Sequence, residues 1–114
     1  EILQTVPSVI IANLNPAITH NIEKYKAIKK AFYISSIESI NGDYFEFGVF
    51  TGSSFCHAIR CAKALEQFDE QLKMIHFFGY DSFEGFGDIP EIDKHKFYTD
   101  INFETSLNAF FHAV

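Results

Sequence analysis

The chain has 114 residues, 47% of them hydrophobic and 17% aromatic, with 15 acidic against 9 basic side chains and a net charge of −6. That length gives one domain or part of one, and the composition excludes a disordered chain. No segment carries a Lys/Arg stripe, which excludes nucleic-acid binding through a basic face.

Taken in order, residues 1–17 are mixed, with Pro7, Asn13, Asn15 and Pro16 as turn formers. The apolar run 6–12 is broken by Pro7 and falls far short of the roughly 20 residues a membrane span needs, so no membrane partner is expected. From Thr19 or His20 to Ser39 the spacing of Ile22, Tyr25, Ile28, Phe32 and Ile37 predicts a helix, with lysines 24, 26, 29 and 30 between them. Asn41-Gly42-Asp43 stops it. Residues 44–49 read as a strand. Residues 53 to about 68 read as a helix with Phe55, Ala58, Ile59, Ala62 and Leu65 on one stripe. Residues 69–73 form a polar connection, and 75–80 a second strand apolar enough to be buried. Residues 81–96 are a long loop rich in Gly and acids, 97–100 a short extended piece, and 104–113 a helix. The chain opens on Glu1, its one methionine is Met74, and its end is apolar with no stop signal, so both ends are expected to be cut.

Strand, helix and strand at this spacing predict a right-handed βαβ unit with parallel neighbouring strands. The fold class is therefore α/β, half of a doubly wound sheet, with residues 1–42 as an N-terminal helical segment and 43–114 as the first half of the sheet. A parallel sheet wants helices on both faces. Alone, this unit leaves strand edges and apolar faces open, which favours homo-oligomers.

The chemistry concentrates at residues 46–54. Gly48 lets the backbone turn at the strand end, and Gly52 lets the helix start approach a ligand. The amides of Ser53 and Ser54 at the helix start favour negative groups, although Ser53 also suits a plain N-cap. Glu46 within an apolar strand needs a partner: a cofactor's ammonium or hydroxyl, or backbone amides. Taken alone, the glycines also suit a turn with no ligand. Asp81, just past the second strand, falls beside the glycine turn, where it can accept both hydroxyls of a ribose; a simple turn-forming Asp before Ser82 is the plainer reading. Together the two features point to a nucleoside-bearing cofactor.

Other constellations point elsewhere less well. Asp81, Glu84, Asp88, Glu91, Asp93 and His95 lack the order of a calcium loop and read as a solvated, lid-like loop. His57 and Cys61 are four apart with no second pair for a metal. Cys56 and Cys61, five apart, fit neither a redox pair nor a zinc knuckle, and they read as reduced residues of a cytoplasmic protein. Neither a nucleophile turn nor a P-loop is present.

The strings Gly42-Asp43-Tyr44-Phe45-Glu46-Phe47-Gly48-Val49-Phe50-Thr51-Gly52 and Gly79-Tyr80-Asp81-Ser82-Phe83-Glu84-Gly85-Phe86 resemble the macrocin O-methyltransferase (TylF-like) family. Its members are class I S-adenosylmethionine-dependent methyltransferases with a Rossmann-like fold. The resemblance spans about residues 43–93, and the Asp-Ser-Phe-Glu-Gly string is its more specific part. It implies that Glu46, Gly48 and Gly52 line the methionine part of S-adenosylmethionine, and that Val49, Phe50, Ser53 and Ser54 belong to the same cofactor-binding turn. It implies that Asp81 binds the ribose and that Ser82 and Phe83 flank the adenosine. It implies O-methylation of a small-molecule hydroxyl, on a sugar or secondary metabolite. The base and any Mg²⁺ ligands are expected beyond Val114, so the fragment itself is expected to lack a complete catalytic set. The alternatives are an NAD(P)-dependent oxidoreductase-like Rossmann domain, weakened by the missing Gly-x-Gly-x-x-Gly, and a non-catalytic remnant that binds a partner.

Overall fold

The computed structural model describes residues 2–96, 105–108 and 110. Helix α1 spans Ile2–Asn13, which corrects the expectation of an irregular start. Pro7 lies inside it and removes one backbone donor, so the rest of the ladder carries the helix across a residue that ordinarily breaks one. No residue of α1 is buried, and its Ile and Val side chains face outward.

Helix α2 spans Pro16–Ile37 and starts earlier than the periodicity indicates. Asn15 is its N-cap, the side-chain oxygen accepting the Ala17 N–H at 2.8 Å, and Pro16 occupies the first turn. The Asn-Pro pair read as a turn is thus a helix start: proline's missing N–H costs nothing there. The axis bends by 110° between α1 and α2, and no single helix among the described residues is long and apolar enough to cross a membrane.

Strand β1 (Tyr44–Phe47), helix α3 (Ser53–Leu65) and strand β2 (Phe77–Tyr80) form the expected βαβ unit. The strands are parallel, with Tyr44 opposite Phe77 and Phe47 opposite Tyr80. Both are shorter than their apolar runs, because Gly48 already leaves the strand conformation at φ 82° and because residues 75 and 76 belong to the approach. Helix α3 stops at Leu65, and Phe68 beyond it is exposed.

The core lies between the sheet and the helices. Phe32 of α2, Ala58, Cys61 and Ala62 of α3, and Leu72 form one buried cluster, with Ile28, Tyr44, Leu65, Ile75 and Phe77 packed against it. Ala58 is completely buried, so the two helices approach closely there. The connection read as polar is a 3₁₀ turn, Glu70–Met74, whose Leu72 enters the core. Asp69 caps it by accepting the Gln71 N–H at 3.1 Å.

Both helices pack on one face of the sheet. Phe32 and Phe55 flank Tyr44 and Phe77 there, with ring centroids 5.8–6.3 Å apart. The other face is open. Phe45 stacks on Phe78 at 4.9 Å and Phe47 on Tyr80 at 5.0 Å, all four exposed. The second strand is therefore half-covered rather than buried, because no described helix lies on that side.

Between β2 and residue 96 the chain is irregular apart from a 3₁₀ turn, Glu91–Asp93. Leu107, Asn108 and Phe110 are helical within the expected last helix, and the expected extended piece at 97–100 lies outside the described residues.

Candidate functional site

The parallel register puts the ends of β1 and β2 side by side. Both Gly48 and Val49 donate their backbone N–H to the Tyr80 carbonyl, at 2.7 and 3.3 Å. The chain then turns back on itself: the Gly52 N–H reaches the Val49 carbonyl at 2.7 Å. Gly48 and Gly52 have φ of 82° and 78°, and Phe50 between them has φ of 49°. Side chains other than glycine rarely adopt that region. A Cβ built on Gly48 would meet nothing within 4 Å, so open space lies above the turn.

Asp81 explains how Phe50 is held there. Its Oδ2 accepts the Phe50 N–H and its Oδ1 accepts the Phe83 N–H, both at 2.8 Å. Phe83 also has positive φ, 58°. One carboxylate thus ties the glycine turn to the loop after β2 and satisfies the amides of two strained residues. Each oxygen has two lone pairs, so Asp81 keeps one acceptor position on each for a ligand hydroxyl.

Glu46 lies on the helix-facing side of β1. Its partners are hydroxyls: Tyr44 donates to Oε2 at 2.6 Å and Ser54 to Oε1 at 2.7 Å. These answer the question of how a carboxylate survives in an apolar strand. Tyr44 and Glu46 are two apart on a strand and so share a face. Burial, reinforced by the Glu46 hydrogen bond and charge, pushes the Tyr44 phenol well above its ordinary 10.0.

Helix α3 begins at Gly52, which offers no capping side chain. The positive end of the helix faces the turn. Ser53 instead receives Lys24 of α2, whose Nζ donates to its Oγ at 3.4 Å. Val49 is only 3% exposed, so its side chain belongs to the packed side of the turn. Its Cγ1 would lie 2.9 Å from a Cβ on Gly79, and a ring carbon of Phe55 3.2 Å away. Gly79 is therefore a packing requirement of this end of the sheet.

The structure thus brings Gly48, Val49, Phe50, Gly52, Asp81 and Phe83 together through direct bonds, with Glu46 joined to Ser54 beside them. Ser82 stands apart: it is exposed and its Oγ accepts the Glu84 N–H in its own loop. Phe83 packs on Phe110 at 5.8 Å, and Phe110 on Phe55 at 6.1 Å, which gives the site an aromatic flank. Tyr44, Lys24 and Gly79 escaped the sequence reading. The two-residue spacing to Glu46 signals Tyr44, whereas nothing in the sequence signals a lysine 29 residues from Ser53.

His57 and Cys61 face the helix interface. His57 Nε2 lies 3.0 Å from the Tyr25 carbonyl oxygen and 3.2 Å from Cys61 Sγ. Burial raises the Cys61 thiol pKa, more than the charge of Lys29 lowers it. Among the described residues no three His, Cys, Asp or Glu side chains gather as a metal site requires. A cavity of about 470 Å³ lies at the other end of the strands, lined by Asp43, Asp69, Leu72 and His76 among others, and holds none of the residues above. There Asp43 accepts both the N–H and Nδ1 of His76, at 3.0 and 3.1 Å.

No family model, curated protein or solved structure matches this chain.

Proposed function

We propose that this chain is the cofactor-binding part of a class I S-adenosylmethionine-dependent methyltransferase with a Rossmann-like fold. The reading rests on one observation above all. Glycine turn and acid meet at the same end of two parallel strands, joined by the Phe50 N–H to Asp81 bond of 2.8 Å. Ligands of parallel α/β sheets bind outside the carboxyl ends of the strands.

The donor set suits the group. Asp81 has acceptor positions left for ribose hydroxyls, and Glu46 offers a carboxylate for an ammonium. First-turn amides of α3 favour a carboxylate. Phe83 and Phe110 offer apolar surface to a purine. When bound, S-adenosylmethionine supplies an electrophilic methyl on a sulfonium. The chain's own residues bind and orient it, and the proposal assigns neither a base nor a Mg²⁺ ligand among residues 1–114. The acceptor class carried by the family resemblance is a small-molecule hydroxyl, in a cytoplasmic enzyme of the macrocin O-methyltransferase type.

A second reading has its own support. Glu46 and Asp81 already have internal partners, which is what a structural remnant with no ligand would need. An NAD-binding domain is supported less, since Gly48 and Gly52 are the only glycines of the turn. Calorimetric titration with S-adenosylmethionine, S-adenosylhomocysteine and NAD separates the three. Binding of the two sulfur nucleosides without NAD is the expected result. Binding of none supports the remnant, and binding of NAD alone the oxidoreductase-like domain.

A further inference from the structure

Four of the chain's nine Lys and Arg residues fall within residues 24–30, in a protein of net charge −6. Three of them, Lys26, Lys29 and Lys30, stand with Tyr33 at helical spacings of three and four, so all four share one face of α2. They line a surface groove of about 540 Å³, together with Glu23 and with Leu65 of α3. Lysine stems, Tyr33 and Leu65 give the groove an apolar lining beneath charged heads. Glu23 neutralises Lys26, but Lys29 and Lys30 are in no ion pair among the described residues.

The opposite pattern lies after β2. Residues 81–93 hold five acids and no Lys or Arg. Asp88 and Asp93 are in no ion pair among the described residues. Between these acids the loop shows apolar side chains to water, Phe86 at 52% exposed and Ile92 at 92%. One molecule thus carries a basic groove with an apolar lining and an acidic loop with apolar side chains.

The topology keeps the two apart within one copy. Helices α2 and α3 run side by side in the same direction, with Lys24 at Ser53 and Tyr25 at His57. Leu65 ends α3, so the groove lies toward the end of the unit where β2 begins. The acidic loop leaves β2 at its other end. Two copies lying antiparallel about a twofold axis bring each loop beside the other's groove, and both contacts close at once.

We propose that the α2 groove of one copy receives the acidic loop of a second copy, forming a twofold dimer held by Lys29 and Lys30 against Asp88 and Asp93, with Ile92 over Tyr33. This surface lies apart from the glycine turn, and the proposal stands independently of the methyltransferase reading. The complementary charges set the register, and the apolar contact adds burial.

Sedimentation of the intact chain over a range of concentrations tests it. Dimers are expected at low salt, and 1 M NaCl, which screens charges beyond about 3 Å, is expected to weaken them by about tenfold or more. Lys29→Glu with Lys30→Glu puts acid against acid, and Asp88→Lys with Asp93→Lys puts base against base. Each double variant alone is expected to be monomeric with an unchanged thermal midpoint. An equal mixture of the two is expected to dimerise again, since both contacts then pair opposite charges. A monomeric unaltered chain at low salt overturns the proposal. So does a dimer that neither salt nor the variants weaken, which would place the interface on the open sheet face instead. A mixture that stays monomeric also overturns it. If a variant loses its fold, the salt dependence of the unaltered chain decides: an unweakened dimer refutes the charged contact.

Discussion

Replacing Asp81 by Asn keeps the side chain's shape and removes half of what it does. The carboxylate accepts two backbone amides, Phe50 and Phe83, one on each oxygen at 2.8 Å. An amide side chain can accept only one of them and turns its NH₂ toward the other. A hydrogen bond to a charged group contributes about 1.5–3 kcal/mol, and the site is half-buried, so the lower end applies. One freed Phe can relax from positive φ, which returns about 1 kcal/mol. Since the remaining bond also loses its charge, Asp81→Asn should cost about 1–2 kcal/mol of unfolding free energy. Urea unfolding followed by far-UV circular dichroism reads this, provided the m-value is unchanged. Unaltered or raised stability would refute the idea that Asp81 holds the two loops. The same variant also separates Asp81's two roles. Lost stability with full affinity for S-adenosylhomocysteine would leave the tie between loops and remove the ribose contact.

Two more outcomes follow from the geometry. Gly79→Ala puts a methyl 2.9 Å from Val49 Cγ1 and 3.2 Å from a Phe55 ring carbon, both side chains nearly fully buried, and should cost about 1–3 kcal/mol by overpacking; a loss under about 0.5 kcal/mol in denaturant titration would show that the sheet end yields easily. Tyr44→Phe tests the hydroxyl on Glu46: burial and that bond raise the folded phenol above its unfolded 10.0, so the unfolded chain releases the proton first and wild-type stability falls as pH rises past 10. The variant should lack that part of the alkaline fall in thermal midpoint, and identical slopes for the two proteins would contradict the Tyr44–Glu46 pairing.

Much of the site's backbone was legible because it is local. A short apolar run, two glycines four apart and a helical stripe give a strand, a turn and a helix, and the parallel partner then has one place to go. Asp81 falls beside the turn by that topology alone. Side-chain partners were not legible. The ribose reading of Asp81 took no account of the Phe50 amide, 31 residues away in sequence, because a positive φ at a phenylalanine leaves no mark on the sequence. Nor did the carboxylate of Glu46 announce Ser54, which depends on how α3 leaves the turn. At the N-terminus local rules misled: Pro7 and Asn15-Pro16 both read as breaks, yet one lies within α1 and the other starts α2. Leu72, in a connection read from its charged neighbours, went to the core because a 3₁₀ turn aims it inward.

The most direct test of the central claim maps the ligand on the chain itself. An amide-resolved NMR titration with S-adenosylhomocysteine should move the signals of Gly48, Phe50, Gly52, Ser53, Ser54, Asp81 and Phe83, and leave those around Asp43, Leu72 and His76 in place. Shifts confined to the Asp43–His76 end, or none at millimolar ligand, would contradict the assignment of the glycine turn and Asp81 as a cofactor site.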